Sequence, residues 1–201
     1  MVLYVTLILV ICAVGKPHKT YTVVDGISRM TPLYNTWFDM YQRCTSERSK
    51  SKRPHYRDTK LHKDWYIFKN FAEWAEKQVG YGLTGLDGHT FQIDKDLLGK
   101  GDVYSPESCC FLPKEVNAFL KRNRSVRNST GFTGVSLLPN GKFRACVRDP
   151  RTKRNKHLGC FLKPEDAYEK YLLSKSEIGK YLANTYKQSI SKDAFLALSN
   201  L

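Results

Sequence analysis

The chain has 201 residues, enough for one domain or two small ones, and its 41% hydrophobic and 12% aromatic residues exclude wholesale disorder. Its formal net charge of +14 at pH 7 costs self-repulsion in a folded state. The charge therefore predicts a polyanionic partner, with nucleic acid ahead of an acidic membrane surface. A basic surface that serves solubility alone is the alternative.

The first residues, MVLYVTLILVICAV, are nearly all apolar. This run is too short to span a bilayer comfortably, and it lacks the basic start of a signal peptide. Its β-branched residues favour a buried strand or a mis-called start, with an exported or membrane-tethered chain as the alternative. We therefore expect an intracellular protein without a membrane partner.

The six cysteines predict free thiols in a reducing compartment. Cys109 and Cys110 are adjacent, which is awkward for two ordinary disulfides, and a chain of this length does not need them. A structural zinc site would have to use Cys44, His55, His62 and Cys109. Their spacing matches no tight zinc-binding pattern, so we expect buried thiols and a surface histidine instead.

The N-terminal half predicts two helices and a basic loop between them. The segment PLYNTWFDMYQRC begins at Pro32 with apolar residues at helical spacing, and WYIFKNFAEWAEKQ repeats that pattern from Trp65. Residues 50–57, KSKRPHYR, form a basic loop that could touch phosphate, although a merely solvated loop explains it equally well. Further along, TFQID predicts a strand and PKEVNAFLKRN a helix, with a loop between them.

The C-terminal part predicts three strands and a helix. A turn at residues 139–141 (PNG) separates two strands, a third strand follows, and a helix begins at Pro164. In the middle strand, Ala145 and Val147 face one way while Arg144 and Arg148 face the other. Residues 121–156 contain eleven Lys or Arg and one acid, so the sheet face left uncovered is basic. A solvated sheet edge carrying protective charges is the alternative.

This C-terminal part resembles the Apetala-two/ethylene-response-factor type of DNA-binding domain over roughly 45 residues. The shared frame is Gly134-Val135, Gly141-Lys142-Phe143, Val147-Arg148-Asp149-Pro150, Leu158-Gly159-Cys160-Phe161 and Glu165-Asp166-Ala167-Tyr168. The resemblance implies a sheet that lies in the major groove of duplex DNA. The candidate DNA-binding residues are Ser136, Lys142, Arg144, Arg148, Lys156 and His157. Because Thr133, Ser136 and His157 stand where the family has arginine or tryptophan, its base specificity does not transfer.

Beside a DNA-binding unit, the strand–loop–helix segment predicts metal-dependent phosphodiester cleavage. A divalent cation needs oxygen ligands presented from neighbouring elements, and Asp94 and Asn117 have the right order. The segment resembles HNH nucleases of the phage homing type in Asp94-Lys95, residues 104–109 (YSPESC) and Asn117. The resemblance implies that Asp94 and Asn117, with Asp102 nearby, hold Mg²⁺ or Mn²⁺, without a small-molecule cofactor. Lys95 replaces the usual base histidine and is assigned to the scissile phosphate.

The sequence thus predicts an α+β protein with an HNH-like ββα-metal module and preceding helices, followed by a three-stranded antiparallel sheet packed on one helix. The expected divisions are an apolar segment (1–31), the HNH-like module (32–121), a basic linker (122–130), the DNA-binding domain (131–183) and a tail (184–201) with a short helix. The expected function is a metal-dependent HNH endonuclease acting on double-stranded DNA. The alternative is a DNA-binding regulator that does not cut.

Overall fold

A computed structural model describes residues 17–99, 102–120 and 130–201. The apolar run at the N-terminus and most of the expected basic linker therefore lie outside the described residues. In the part of the chain that is described, no helix combines the length and the apolar character needed to cross a bilayer.

The described chain begins with a hairpin and a helix. β1 (Tyr21–Val24) pairs antiparallel with β2 (Ile27–Met30) through a two-residue turn. α1 (Pro32–Thr45) follows, as predicted, and its first turn is capped because the Thr31 hydroxyl accepts a hydrogen bond from the Tyr34 N–H. α1 buries Trp37, Met40 and Cys44.

A second stretch leads from α1 to the next core helix. It contains α2 (Glu47–Lys52), a 3₁₀ turn (Pro54–Tyr56), β3 (Lys60–Leu61), a second 3₁₀ turn (Lys63–Tyr66) and α3 (Phe68–Ala75). The predicted continuous helix from Trp65 is therefore wrong at its start. Ile67 occupies the N-cap position of α3 in an extended conformation and is 60% exposed, so it is not one of the apolar residues that this segment buries.

The next elements form a ββα unit. β4 (Gln92–Asp94) pairs antiparallel with β6 (Cys110–Leu112), and α4 (Lys114–Leu120) follows. β5 (Val103–Tyr104) lies in the connection and pairs in parallel with β3. The unit is held by a buried apolar set: Phe91, Phe111, Leu112, Val116 and Phe119.

The C-terminal elements have the predicted order. β7 (Val135–Leu137), β8 (Phe143–Asp149) and β9 (Arg154–Phe161) form one antiparallel sheet, and α5 (Pro164–Thr185) covers one face of it. Ala145 and Val147 are buried under α5, whereas Arg144 and Arg148 are exposed, so the predicted alternation is confirmed. The mixed helix and sheet confirm the α+β class.

The C-terminal end of the chain packs on the N-terminal half. α6 (Lys192–Ser199) packs against the second half of α5, so the tail does contain the expected helix. The expected boundary at 183/184 lies inside α5. Ile178, Leu182 and Leu198 share one buried core with Phe91 and Phe111 of the ββα unit. The two halves therefore form a common core.

Candidate nucleic-acid interface

The sheet face that α5 leaves uncovered is called the basic face below. Residues paired directly across antiparallel strands point to the same side, and the register pairs Ser136 with Arg144, Arg144 with Cys160, Cys146 with His157, and Arg148 with Asn155. Lys142, two residues before Arg144, continues the same alternation. The basic face thus carries Ser136, Lys142, Arg144, Cys146, Arg148, Asn155, His157 and Cys160.

Two exposed arginines dominate the basic face. Arg144 donates a hydrogen bond from Nε to the Ser136 hydroxyl at 3.3 Å, which limits the directions its guanidinium can take. Arg148 stands four residues further along the same strand and is exposed. The nearest carboxylate in sequence, Asp149, is buried on the opposite side and bound to Arg151. The two arginines therefore keep their charge available to a partner.

One predicted DNA-binding residue, Lys156, lies on the α5 side of the sheet. A β-bulge between Ala145 and Cys146 shifts the register, so Val147 pairs with Lys156. Lys156 therefore shares the α5 side of the sheet with Val147, and only His157 of this neighbouring pair is on the basic face. Consecutive strand residues point in opposite directions, so the two cannot both lie on the basic face, and a DNA contact by Lys156 stays a prediction.

The same register brings two residues to the basic face that sequence reasoning missed. Asn155 lies opposite Arg148, and Cys160 lies opposite Arg144. The His157 ring stands between two thiols, with Nδ1 3.9 Å from Cys146 Sγ and Nε2 4.0 Å from Cys160 Sγ. The sequence signal for this register is the glycine at position 159, since a glycine within a strand often marks a bulge. In the structure Gly159 has φ +130°.

In the ββα unit, Asp94 ends β4 and Asn117 lies on α4. One Asp94 carboxylate oxygen, Oδ1, accepts hydrogen bonds from the N–H groups of Asp96 (3.0 Å) and Leu97 (2.8 Å). Burial raises the pKa of the Asp94 carboxyl above its ordinary value, and these N–H groups offset only part of the rise. The Asn117 Oδ1 atom is buried and has no hydrogen-bond partner among the described residues.

Lys95 is buried and already paired with carboxylates. Its Nζ lies 2.6 Å from Asp96 Oδ1 and 3.1 Å from Asp102 Oδ1. Burial acts to lower the pKa of Lys95, but the hydrogen bonds and charges of Asp96 and Asp102 outweigh it and raise the pKa. The ammonium therefore stays charged at neutral pH and cannot act as a base, and one oxygen of Asp102 is committed to Lys95.

The residues considered for structural zinc do not come together. Within residues 17–99, 102–120 and 130–201, no group of three His, Cys, Asp or Glu side chains could hold a metal ion. Burial raises the pKa of the Cys44 thiol to about 11 and that of Cys109 to about 12. Both thiols are therefore protonated at neutral pH and resemble small apolar core residues.

Comparison with known proteins finds a partial relative. The chain is similar to the ethylene-responsive transcription factor ERF117 of Arabidopsis thaliana, with 39% identity over 79 residues, and the match covers 33% of this chain and 24% of that protein. The chain therefore aligns with about a quarter of the relative's length. No family model matches the chain. No solved structure matches it either. The similarity supports an Apetala-two/ethylene-response-factor type domain, and the HNH resemblance stays a prediction.

Proposed function

We propose that this protein binds double-stranded DNA and acts as a regulator, with the basic face in the major groove. The observation that carries the proposal is the pair of exposed arginines, Arg144 and Arg148, on a sheet face whose other side is filled by α5. A bidentate arginine–guanine contact is worth about 1–3 kcal/mol of discrimination between bases. The similarity to a transcription factor supports the same function.

The charge of the whole chain supports the same partner. A net charge of +14 favours binding to the phosphate backbone, because each phosphate neutralised releases bound counterions into solution. This part of the affinity does not depend on sequence and weakens as salt is added. The hydrogen bond from Arg144 to Ser136 adds to base readout, since a guanidinium held in one direction loses less entropy on binding.

The test compares two double variants of the full chain that lose the same charge. Arg144→Ala/Arg148→Ala removes both arginines of the basic face, and Lys170→Ala/Lys180→Ala removes two exposed lysines of α5. Duplexes selected from a random pool by the wild-type protein provide the ligand, and affinity is measured by fluorescence anisotropy. We expect the arginine variant to lose at least about tenfold more affinity than the lysine variant. Equal losses would contradict the proposal.

Metal-dependent cleavage is the second candidate function, and the unpaired Asn117 oxygen is the observation that favours it. A buried acceptor without a partner costs about 1–3 kcal/mol, which a cation bound there would offset. The free Asp94 oxygen and Asn117 Oδ1 are the kind of ligands that Mg²⁺ and Mn²⁺ prefer. A bound cation would supply stabilisation of the leaving oxygen. Lys95 would take no proton, because its ammonium is buried, paired and charged.

A nicking assay separates the two functions. Supercoiled plasmid is incubated with the wild type, Asp94→Asn and Lys95→His, each with Mg²⁺, Mn²⁺ or EDTA. Asparagine at position 94 retains an oxygen for the two backbone N–H groups, so the loop is expected to keep its conformation. Paramagnetic resonance of added Mn²⁺ reports binding independently of cleavage. Metal-dependent nicking that Asp94→Asn abolishes would establish the nuclease. No nicking and no bound Mn²⁺, with DNA binding intact in EDTA, is the result expected of the regulator.

A further inference from the structure

We propose that a second surface, in the N-terminal half, contacts the DNA backbone; this inference rests on the proposed DNA binding. The surface consists of residues 47–60 and is called the basic arm below. It comprises α2, the 3₁₀ turn Pro54–Tyr56 and the approach to β3. It contains six Lys or Arg residues, one histidine and two acids.

The cations of the basic arm face solvent and are almost unneutralised. α2 buries none of its residues. Five of the six cations are exposed: Arg48, Lys52, Arg53, Arg57 and Lys60. Within the arm, the described ion pairs are limited to Lys50 with Glu47, at 3.4 Å. Holding this many like charges on a short segment raises its electrostatic energy, which a polyanion would lower.

The basic arm is anchored on the ββα unit. The Arg43 guanidinium lies over the Tyr56 ring, 5.4 Å from its centroid, and also donates to the Tyr104 hydroxyl at 3.3 Å. At the end of the arm, the Lys60 N–H donates to the Asp102 carbonyl oxygen at 2.7 Å, where β3 pairs with β5. The arm therefore has a defined conformation before binding, which reduces the entropy that a contact costs.

The chemistry of the basic arm favours DNA over a membrane. A helix that lies on a membrane needs an apolar face to insert, and α2 has the sequence ERSKSK, without one apolar residue. Phosphate contacts need only accessible cations and N–H groups. Lys60 also borders Asp102, the partner of Lys95, so DNA on the arm would pass next to the ββα site.

The test is the salt dependence of DNA affinity. The arm variant, Lys52→Ala/Arg53→Ala/Arg57→Ala, is compared with Lys170→Ala/Lys180→Ala/Lys192→Ala, which loses the same charge from α5 and α6. For each phosphate that a variant no longer neutralises, the plot of log K against log salt becomes less steep by about 0.9. We expect the steepness to fall by about 2–3 in the arm variant and to change by less than about 1 in the control. The footprint on a long duplex should shorten only in the arm variant.

The outcomes distinguish this inference from the proposed function. If the wild type shows no salt-dependent DNA binding, the proposed function fails and the basic arm fails with it. If Arg144→Ala/Arg148→Ala weakens binding but the arm variant matches its control in slope and footprint, the function stands and the basic arm is only a solvated surface. The inference would also be overturned if the arm variant lost binding to phosphatidylserine vesicles while its plot of log K for DNA against log salt kept the wild-type slope. If circular dichroism shows that the arm variant is unfolded, the double variant Arg48→Ala/Lys52→Ala, whose changes are confined to α2, takes its place.

Discussion

At the scale of single residues, the register of β8 and β9 determines which cations can reach the same groove. Arg148 is on the basic face, whereas Lys156 is on the α5 side. We therefore expect Arg148→Ala to lower affinity for selected duplexes by about 5- to 150-fold, the equivalent of about 1–3 kcal/mol. Lys156→Ala should lower it by less than about threefold. Anisotropy titrations at one salt concentration provide the measurement, and similar losses in both variants would show that the register is wrong.

Asp149 stabilises the turn between β8 and β9. Its carboxylate is buried and accepts three side-chain hydrogen bonds from Arg151, at 2.8, 3.1 and 2.6 Å, and one from the backbone N–H of Arg151 at 3.0 Å. Asp149→Ala should therefore lower the free energy of unfolding by about 1.5–3 kcal/mol at pH 7, the usual value for bonds to a charged group. A thermal melt should show a fall of about 3–12 °C.

The effect of Asp149→Ala should depend on pH in one direction. The hydrogen bonds from Arg151 are the main cause that lowers the pKa of Asp149. A lowered pKa means that the stabilisation is complete above about pH 3.9, the ordinary value, and is lost as pH falls through the folded value. The difference in free energy of unfolding between wild type and variant should therefore narrow below about pH 3.9. Asp58→Ala, at an exposed aspartate, is the control, and a gap that stays constant to pH 2.5 would contradict this account.

At the scale of elements, local patterns predicted the C-terminal sheet and helix well. The alternation around Arg144 and the turn before Gly141 involve neighbours in sequence, so they can be recognised without tertiary information. The bulge at Ala145 depends on how two strands align, and an exposed Ile67 depends on where a 3₁₀ turn ends. Such features arise from contacts between elements, which sequence periodicity does not contain.

The candidate ββα site was predictable in its order but not in its charges. Asp94 and Asn117 do lie on a strand and a helix of one small unit, as the sequence pattern indicated. The resemblance implies a phosphate contact for Lys95, whereas the structure pairs its ammonium with Asp96 and Asp102. That pairing depends on the path of the connection between β4 and β5, for which the sequence offers no regular pattern.

The crossing of α5 and α6 depends on a glycine. A Cβ atom at Gly179 would lie 2.7 Å from the Leu198 carbonyl oxygen, which belongs to the backbone and cannot rotate away. In an isolated helix, Gly→Ala stabilises by about 1 kcal/mol. Here we expect Gly179→Ala to destabilise by about 1–3 kcal/mol instead, because α6 must move. Chemical denaturation provides the measurement, with Lys180→Ala on the exposed side as control. A more stable Gly179→Ala would contradict the close approach.

At the scale of the whole molecule, α5 connects the basic face to the ββα unit. Its first half covers the sheet, and beyond it the Lys175 ammonium donates to the Phe119 carbonyl oxygen at 2.5 Å. Tyr186, just after α5, donates its hydroxyl to Glu115 and accepts from the Leu86 N–H at 3.4 Å. The same core holds both halves, so the basic face and the basic arm keep a fixed relation.

This common core predicts that a change at the end of α5 unfolds the N-terminal half. All three tryptophans, Trp37, Trp65 and Trp74, lie in that half, so their fluorescence does not report on the C-terminal sheet. Tyr186 is buried against Phe91, with ring centroids 6.0 Å apart. Tyr186→Ala should therefore cost about 3 kcal/mol and lower the tryptophan-detected melting temperature by about 6–12 °C.

The control for this prediction is Leu173→Ala, at a leucine of α5 that is 54% exposed, for which we expect a shift of less than about 2 °C. In both variants, circular dichroism and tryptophan fluorescence should give the same midpoint, because two halves that share a core unfold together. If Tyr186→Ala lowers only the circular dichroism midpoint, the halves unfold separately. The basic face and the basic arm would then bind DNA as tethered units, and their affinities would combine through the linker rather than through a rigid body.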